Sequence, residues 1–239
     1  MPSHGERSGR AFALLRWLWA ALVATGALSA DAQTPPSALE AAQYKGLHAA
    51  AWTGDIARID KLLAGRADPN LRDGHGRTPL HVATFARQRG AISALVRGGA
   101  DLGLLEDDRY DCVTIAAVAD DEDTLRLLLQ LGGSAKLITS RYDGTALIAA
   151  AHLGHDGVVR QLINAGAPLD HVNNLHWTAL IESIVLGNGG PRHLATLKLL
   201  VEAGANTQLA DRQGQTPLAL ARSRGYDAMV QALLKAGAR

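Results

Sequence analysis

Apolar and polar residues follow a pattern that returns about every 33 residues from Lys45 to the C-terminus. Each period opens with a short apolar segment, and a pair of aliphatic residues follows about seventeen positions after the start. The six pairs are Leu62-Leu63, Leu95-Val96, Leu128-Leu129, Leu162-Ile163, Leu200-Val201 and Leu233-Leu234. A fixed period of this length is typical of a solenoid, in which successive units stack on one another.

Each period begins at what we call its anchor position, which is a threonine in four of the six copies. The anchors are Lys45, Thr78, Asp111, Thr145, Thr178 and Thr216. They are 33 or 34 residues apart, except that the fifth interval is 38. The spacing predicts six repeats, at approximately 45–73, 74–106, 107–140, 141–173, 174–210 and 211–239.

Glycines predict where the helices of each repeat end. Nine positions after the anchor, four copies carry a glycine, while the second and third carry Arg87 and Asp120. The four glycines are Gly54, Gly154, Gly187 and Gly225. A further glycine, such as Gly99 or Gly166, follows the aliphatic pair. We therefore predict an all-α solenoid of about six helix-turn-helix repeats with short β-turn tips, which must stack because one helix pair cannot bury its own apolar face.

The repeat sequences resemble the ankyrin repeat, whose pattern includes Thr-Pro-Leu-His-x-Ala, a Gly that ends the first helix, a Leu-Leu pair and Gly-Ala. The best match is Thr78-Pro79-Leu80-His81-Val82-Ala83, and the resemblance covers residues 45–239. It implies an ankyrin-repeat solenoid that binds proteins. The third copy departs most, with Asp111-Cys112-Val113-Thr114-Ile115-Ala116 in place of the Thr-Pro-Leu-His segment, so we expect it to fold but to be locally weaker.

The first 32 residues have the pattern of a secretory signal peptide. Arg7, Arg10 and Arg16 precede an apolar run from Trp17 to Ala30, and an Ala-x-Ala site ends at Ala32. Cleavage after Ala32 would place the mature protein in the periplasm or outside the cell. The alternative is an uncleaved anchor, in which the span reaches back to Phe12 and contains Arg16.

Residues 33–44 are predicted to be a linker and the start of a capping helix, where Ser37 and Glu40 form a capping box. Without residues 1–32 the chain has 21 basic and 21 acidic residues, since that segment carries three of the 24 and two of the 23. This balance argues against electrostatic binding to nucleic acid and against a polybasic patch that binds membranes. We expect a monomer without stable membrane insertion after cleavage.

Few residues in this sequence are candidates for catalysis, metal binding or redox chemistry. His48 and His81 occupy the family's Thr-Pro-Leu-His position, and His155 follows a repeat glycine, so all three are expected to serve the scaffold. Asp170, His171 and His176 match no zinc-binding spacing. The lone cysteine, Cys112, is expected to be buried and inert rather than a redox sensor. We therefore predict no enzyme activity, no cofactor and no metal.

The fifth repeat carries a glycine-rich insertion from Gly187 to His193. It lacks the Lys-Ser/Thr ending of a phosphate-binding loop. Two interpretations remain: an elongated turn between helices, or a protrusion that binds a partner.

A partner is expected on the concave side of the solenoid, which the turn tips and the exposed ends of the first helices form. Five of the seven aromatic residues after position 32 fall there. The residues that we assign to partner binding are Trp52, His75, Arg77, Phe85, Tyr110, Tyr142, His152, Leu153, Trp177 and Leu186. The alternatives are that neighbouring helices cover part of this strip, or that the assigned register is shifted by one residue.

The leading hypothesis is a non-enzymatic scaffold, exported to the periplasm, that binds an unidentified protein through its concave face. The rival is a secreted effector whose repeats bind host proteins. Retention of all the mature protein in an osmotic-shock fraction would count against the effector.

Overall fold

The computed structural model describes residues 33–239. Pro35–Arg239 form one compact unit. Within the described residues the chain forms thirteen α-helices, and β-pairing there is limited to one antiparallel bridge between Thr139 and Gly144. The all-α prediction is therefore confirmed. The predicted signal peptide lies outside the described residues.

A short helix, α1 (Ala38–Gln43), precedes six helix pairs. The first helices of the pairs are α2 (Gly46–Thr53), α4 (Pro79–Phe85), α6 (Cys112–Val118), α8 (Ala146–Leu153), α10 (Ala179–Val185) and α12 (Pro217–Ser223). The second helices are α3 (Ile56–Ala64), α5 (Arg89–Arg97), α7 (Glu122–Gln130), α9 (Asp156–Asn164), α11 (Pro191–Glu202) and α13 (Asp227–Lys235).

The helices stack in two rows, because each first helix contacts the next first helix and each second helix contacts the next second helix. The core lies between the rows and consists of aliphatic side chains such as Leu80, Leu128, Leu147 and Leu180, which are almost fully buried. Five of the six second helices contribute one fully buried residue of the aliphatic pair, for example Leu95 or Leu162. In α3 both members of the pair, Leu62 and Leu63, are half-buried. The periodic apolar residues thus form a single continuous core.

Five of the six anchor residues cap the first helices with their side chains, whereas Lys45 makes no side-chain cap. Four threonine hydroxyls accept a hydrogen bond from the backbone N–H three residues later, at 3.2 to 3.4 Å. They belong to Thr78, Thr145, Thr178 and Thr216. Asp111 makes the same cap at 2.9 Å to Thr114 N, but its other oxygen, Oδ2, is buried without a hydrogen-bond partner among residues 33–239. This supports the expectation of a locally weaker third repeat, because an unsatisfied buried acceptor costs about 1–3 kcal/mol.

The position nine residues after the anchor requires a left-handed backbone. Gly54, Gly154 and Gly225 adopt φ values of 71°, 69° and 68° there. Arg87 and Asp120 adopt the same conformation, at 55° and 52°, although their side chains disfavour it. The chain therefore keeps the turn geometry even where the glycine is missing.

The fifth repeat differs from the prediction at Gly187. The first helix ends at Val185, and Leu186 is its C-cap. The second helix begins at Pro191, thirteen positions after the anchor instead of eleven, and has 12 residues where its counterparts have 9. The five extra residues thus divide between the turn and the helix. A loop as far as His193 is wrong, because Pro191 starts a helix in which His193 is the third residue.

None of the helices that the structure describes is both long and apolar enough to cross a membrane.

Candidate functional site

The turn tips are each built around one side chain, five residues before the anchor. Its side-chain oxygen, or in Glu106 the two carboxylate oxygens separately, accepts hydrogen bonds from the backbone N–H groups two and four residues later, at 2.8 to 3.4 Å. The residues in this role are Asp73, Glu106, Ser140, Asn173 and Asp211. Sequence reasoning missed this role, although a short polar side chain recurs at that position in every tip.

The three central tips place non-glycine residues at a left-handed position, two residues before the anchor. Arg109, Asp143 and His176 adopt φ values of 67°, 52° and 64° there, where the outer tips have Gly76 and Gly214. Arg109 also pairs with Asp143 of the next tip, with 3.3 Å between Nη1 and Oδ1. Strained backbone of this kind costs about 1 kcal/mol or more per residue. The ion pair links the second and third tips, and both of its side chains are exposed.

The concave face predicted above is here called the inner surface: the turn tips together with the last residues of the first helices. Tyr142 is 43 % exposed, and His75 is also exposed. The remaining aromatic and aliphatic candidates are half-buried, and Trp52 and Trp177 pack against the core. The half-buried candidates are Trp52, Phe85, Tyr110, Leu153, Trp177 and Leu186. The structure therefore leaves edges of these side chains at the surface, rather than a fully exposed strip.

Arg77 does not belong to the exposed surface, and its assignment to partner binding is wrong. The residue is 1 % exposed, and its guanidinium pairs with Glu40 and, at 2.7 Å, with Asp73. The cause is α1, which lies against the first tip and also brings the Tyr44 hydroxyl within 2.8 Å of Asp73. Glu40 also contacts His75, with 2.9 Å between Oε1 and Nε2, so the first tip is already occupied by the chain's own N-terminal helix.

The charges around Arg77 stabilise one another. Hydrogen bonds from Ser37, and then the Arg77 guanidinium, lower the pKa of Glu40 to about 2. Burial alone would raise the pKa of Asp73, but hydrogen bonds from Tyr44 and from the tip backbone and Arg77 lower it to about 2. Both carboxylates are therefore ionised at neutral pH and serve the fold.

The repeat histidines bind backbone carbonyl groups of neighbouring segments: His48 and His81 bind adjacent turns, as predicted, and His155 binds the end of α6. His48 Nε2 lies 3.0 Å from the Arg77 carbonyl oxygen, and His81 Nε2 lies 3.0 Å from that of Leu104. His155 Nδ1 lies 3.0 Å from the Ala117 carbonyl oxygen. Burial lowers the pKa of His81 to about 4, so its ring is neutral at physiological pH.

The other candidate chemistry has scaffold roles in the structure. His171 Nε2 lies 2.6 Å from the Asp143 carbonyl oxygen, while Asp170 accepts a hydrogen bond from Asn206 N. Residues 33–239 contain no group of three side chains that could hold a metal ion. Cys112 is 1 % exposed, and burial raises its thiol pKa, which keeps it protonated.

The fifth repeat's insertion is tied to its neighbours on both sides. The Tyr226 hydroxyl donates to the Gly187 carbonyl oxygen at 3.0 Å, and His193 Nε2 lies 2.9 Å from that of His152. Arg192 pairs with Asp156 of the fourth repeat and, at 2.9 Å, with Asp120 of the third. These contacts favour the interpretation of the insertion as an elongated turn.

A buried polar cluster lies where the fourth and fifth repeats meet on the inner surface, and sequence reasoning missed two of its three members. Glu182 is 5 % exposed, and its Oε1 accepts a 2.8 Å hydrogen bond from Asn173 Nδ2. His152 Nδ1 lies 3.6 Å from Glu182 Oε2. The missed signal was Glu182 itself, because the residue four positions after the other anchors is apolar: Ala49, Val82, Ile115, Ala149 or Leu220.

Burial controls the ionisation of this cluster. It raises the pKa of the Glu182 carboxyl to about 7, against a lowering by the Asn173 hydrogen bond. Burial, followed by repulsion from His193 and His155, lowers the pKa of His152. At neutral pH the ring of His152 is therefore uncharged, and both the protonated and the ionised form of Glu182 are populated.

Comparisons with known proteins agree with the repeat architecture. A family model described as ankyrin repeats (3 copies) matches residues 47–141 and 113–206, and a model of one ankyrin repeat matches residues 213–239. The ankyrin repeat protein YahD of Escherichia coli (strain K12) is 35 % identical over 190 residues, which cover 79 % of this chain and 94 % of YahD.

Solved structures show the same fold. The crystal structure of an ankyrin repeat domain from Acinetobacter baumannii AYE is 44 % identical, with a TM-score of 0.76 over 81 % of this chain and 98 % of that one. A second match is one chain in the structure of a predatory endopeptidase from Bdellovibrio bacteriovorus in complex with an immunity protein. It is 25 % identical, with a TM-score of 0.62 over 80 % of this chain and 98 % of that chain.

Proposed function

This chain belongs to the ankyrin-repeat family, and we propose that it is a non-enzymatic scaffold of the periplasm that binds a protein partner through its inner surface. Ankyrin-repeat proteins are typically non-enzymatic binding scaffolds. The observation that carries the proposal is the row of aromatic side chains with exposed edges along the tips and first-helix ends. Aromatic residues at a partly exposed surface are common binding hot spots.

A protein is the ligand class that these features support. The matched Bdellovibrio chain comes from a complex of two proteins. The balanced charge of residues 33–239 offers no cationic surplus for phosphate backbones, so nucleic acid is disfavoured. Three of the histidines, His48, His81 and His155, instead bind backbone carbonyl groups of neighbouring segments.

Location in the periplasm rests on the sequence of residues 1–32. The test is osmotic shock of cells that express the full chain, followed by mass spectrometry of the released protein. The proposal predicts release of a protein that begins at Gln33. An intact N-terminus in the membrane fraction would support the uncleaved anchor, and recovery from the medium or from host cells would support the effector.

Binding through the inner surface calls for variants that do not disturb the core. Truncation of Trp52 or Trp177 tests folding as well as binding, because both side chains pack against the core. Ala119 and Tyr142 are exposed on the inner surface, and Gln130 is exposed at the end of α7 in the same repeat as Ala119.

The partner should be captured from cells with the parent protein, and its dissociation constant measured for Ala119→Arg, Tyr142→Ala and the control Gln130→Arg. We expect the two inner-surface variants to weaken binding by about tenfold or more and the control to bind like the parent. Loss of binding in Gln130→Arg alone would place the contact on the second helices and contradict the proposal.

A further inference from the structure

Glu182 is an acidic residue in an otherwise apolar column of the first helices. In the preceding and following repeats the same position holds Ala149 and Leu220. Burial of a carboxyl in such surroundings is costly unless a donor or a cation compensates it. A buried carboxyl at this position, next to the proposed binding surface, therefore points to a role in recognition.

Within residues 33–239 only one of the two carboxyl oxygens of Glu182 accepts a hydrogen bond. Its Oε1 accepts from Asn173, whose own Oδ1 is engaged by the N–H groups of Leu175 and Trp177. Asn173 is thereby locked with its amide group towards Glu182. The nearest group to Oε2 is His152 Nδ1 at 3.6 Å, which is beyond hydrogen-bond distance.

No lysine or arginine among the described residues forms an ion pair with Glu182. The neighbouring histidines are used elsewhere: His155 Nδ1 lies 3.0 Å from the Ala117 carbonyl oxygen, and His193 Nε2 lies 2.9 Å from that of His152. The side chain of His152 is 24 % exposed and forms the rim of the cluster. What the cluster lacks is a positively charged donor that approaches from the inner surface.

We propose that Glu182, Asn173 and His152 form a receptor for a basic side chain, arginine or lysine, of the protein partner. A guanidinium or ammonium group would donate to Oε2 of Glu182 and to the unprotonated nitrogen of the His152 ring. Asn173 holds the carboxylate in position for this contact. The inference rests on the proposed function, because it names the chemistry that one part of the inner surface recognises.

The first test uses small probes and the protein purified from cells that express the full chain. N-acetyl-arginine amide, N-acetyl-lysine amide and the uncharged N-acetyl-norleucine amide are titrated while NMR follows the amides of Asn173, His152 and Glu182. We expect saturable shifts with at least one basic probe and none with norleucine. Glu182→Gln should weaken that binding by about tenfold or more, because it removes the charge and keeps the shape.

Two further variants keep the test decisive. Glu202→Gln, an exposed Glu→Gln change at the end of α11, should bind the probes like the parent. Glu182→Leu, which introduces the residue type of the following repeat, should lose binding even if Gln retains part of it. Equal binding of a basic probe to the parent and to both Glu182 variants would overturn the inference, as would equal binding of norleucine.

The partner itself separates this inference from the proposed function. If the captured partner binds more weakly to Ala119→Arg but equally to the parent and Glu182→Gln, the inner surface is the binding site and the receptor for a basic side chain is refuted. If Ala119→Arg and Tyr142→Ala leave binding unchanged, the proposed function fails, whatever the probes show.

Discussion

Replacement of Glu182 by glutamine should change how the stability of the protein depends on pH. The glutamine side chain has nearly the same shape, and its carbonyl oxygen can still accept from Asn173 Nδ2. It cannot ionise, however. The variant therefore removes one buried titration and leaves the packing of α10 in place.

The magnitude follows from the raised pKa. The carboxyl of Glu182 has a pKa of about 7 in the folded protein, against an ordinary value of 4.5. Between these two pH values the folded state binds more protons than the unfolded state, so the stability of the parent falls as pH rises. The stabilisation is fully present below pH 4.5 and is lost as pH passes 7, a change of about 3 kcal/mol.

The assay is urea denaturation followed by circular dichroism at several pH values between 4.5 and 8.5, at constant ionic strength. The free energy of unfolding of Glu182→Gln minus that of the parent should increase by about 3 kcal/mol across this range. Thermal midpoints should show the same trend, with a relative shift of about 6–12 °C. Because other titrating groups are shared, most of their contributions cancel in the difference.

The control for this experiment is Glu202→Gln, whose profile should follow that of the parent. Parallel profiles for the parent and Glu182→Gln would show that burial does not penalise the ionised carboxyl, and would refute the reasoning. A difference that decreases as pH rises would show that a cation pairs with Glu182 in the free protein.

Three further substitutions test other parts of the structure through thermal and urea unfolding. Arg66→Gly should stabilise the protein by about 0.5–1 kcal/mol, because Arg66 has a φ of 64°, a left-handed conformation that favours glycine. The reverse change at the equivalent position, Gly99→Arg, should destabilise the protein. Unfolding midpoints equal to that of the parent would contradict this. Asp111→Thr should add about 1 kcal/mol, since it keeps the cap and removes the unpartnered Oδ2; a loss of stability would show that this oxygen has a role. Arg77→Ala should lower the free energy of unfolding by about 3 kcal/mol, because it leaves the carboxylates of Asp73 and Glu40 without their shared cation. Unchanged stability together with lost partner binding would show that Arg77 is a binding residue after all.

The sequence was sufficient to predict the helix pairs and their stacking, because these depend on local signals that recur in register. Each Thr cap lies three residues from the N–H that it binds, and each helix-ending turn lies within one repeat. The turn at Asp120 keeps its left-handed geometry without glycine, which shows that stacking can override a local preference. The fold could therefore be predicted from the periodicity of the sequence.

The errors arose where residues from different repeats meet. Arg77 is buried by Glu40, which is 37 positions away, and nothing local shows that α1 closes over the first tip. The cluster around Glu182 combines His152 of the fourth repeat with Asn173, which builds the next tip. The insertion is an exception, because Pro191 is itself a local signal for a helix start that the prediction of one loop did not use.

The most direct test of the central claim is photo-crosslinking in living cells from two positions of the third repeat. A photoreactive phenylalanine replaces either Ala119, exposed on the inner surface, or Arg126, exposed on α7. Partner binding through the inner surface predicts one covalent adduct of defined mass from position 119 and none from position 126. An adduct from position 126 alone, or the same adduct from both, would contradict it.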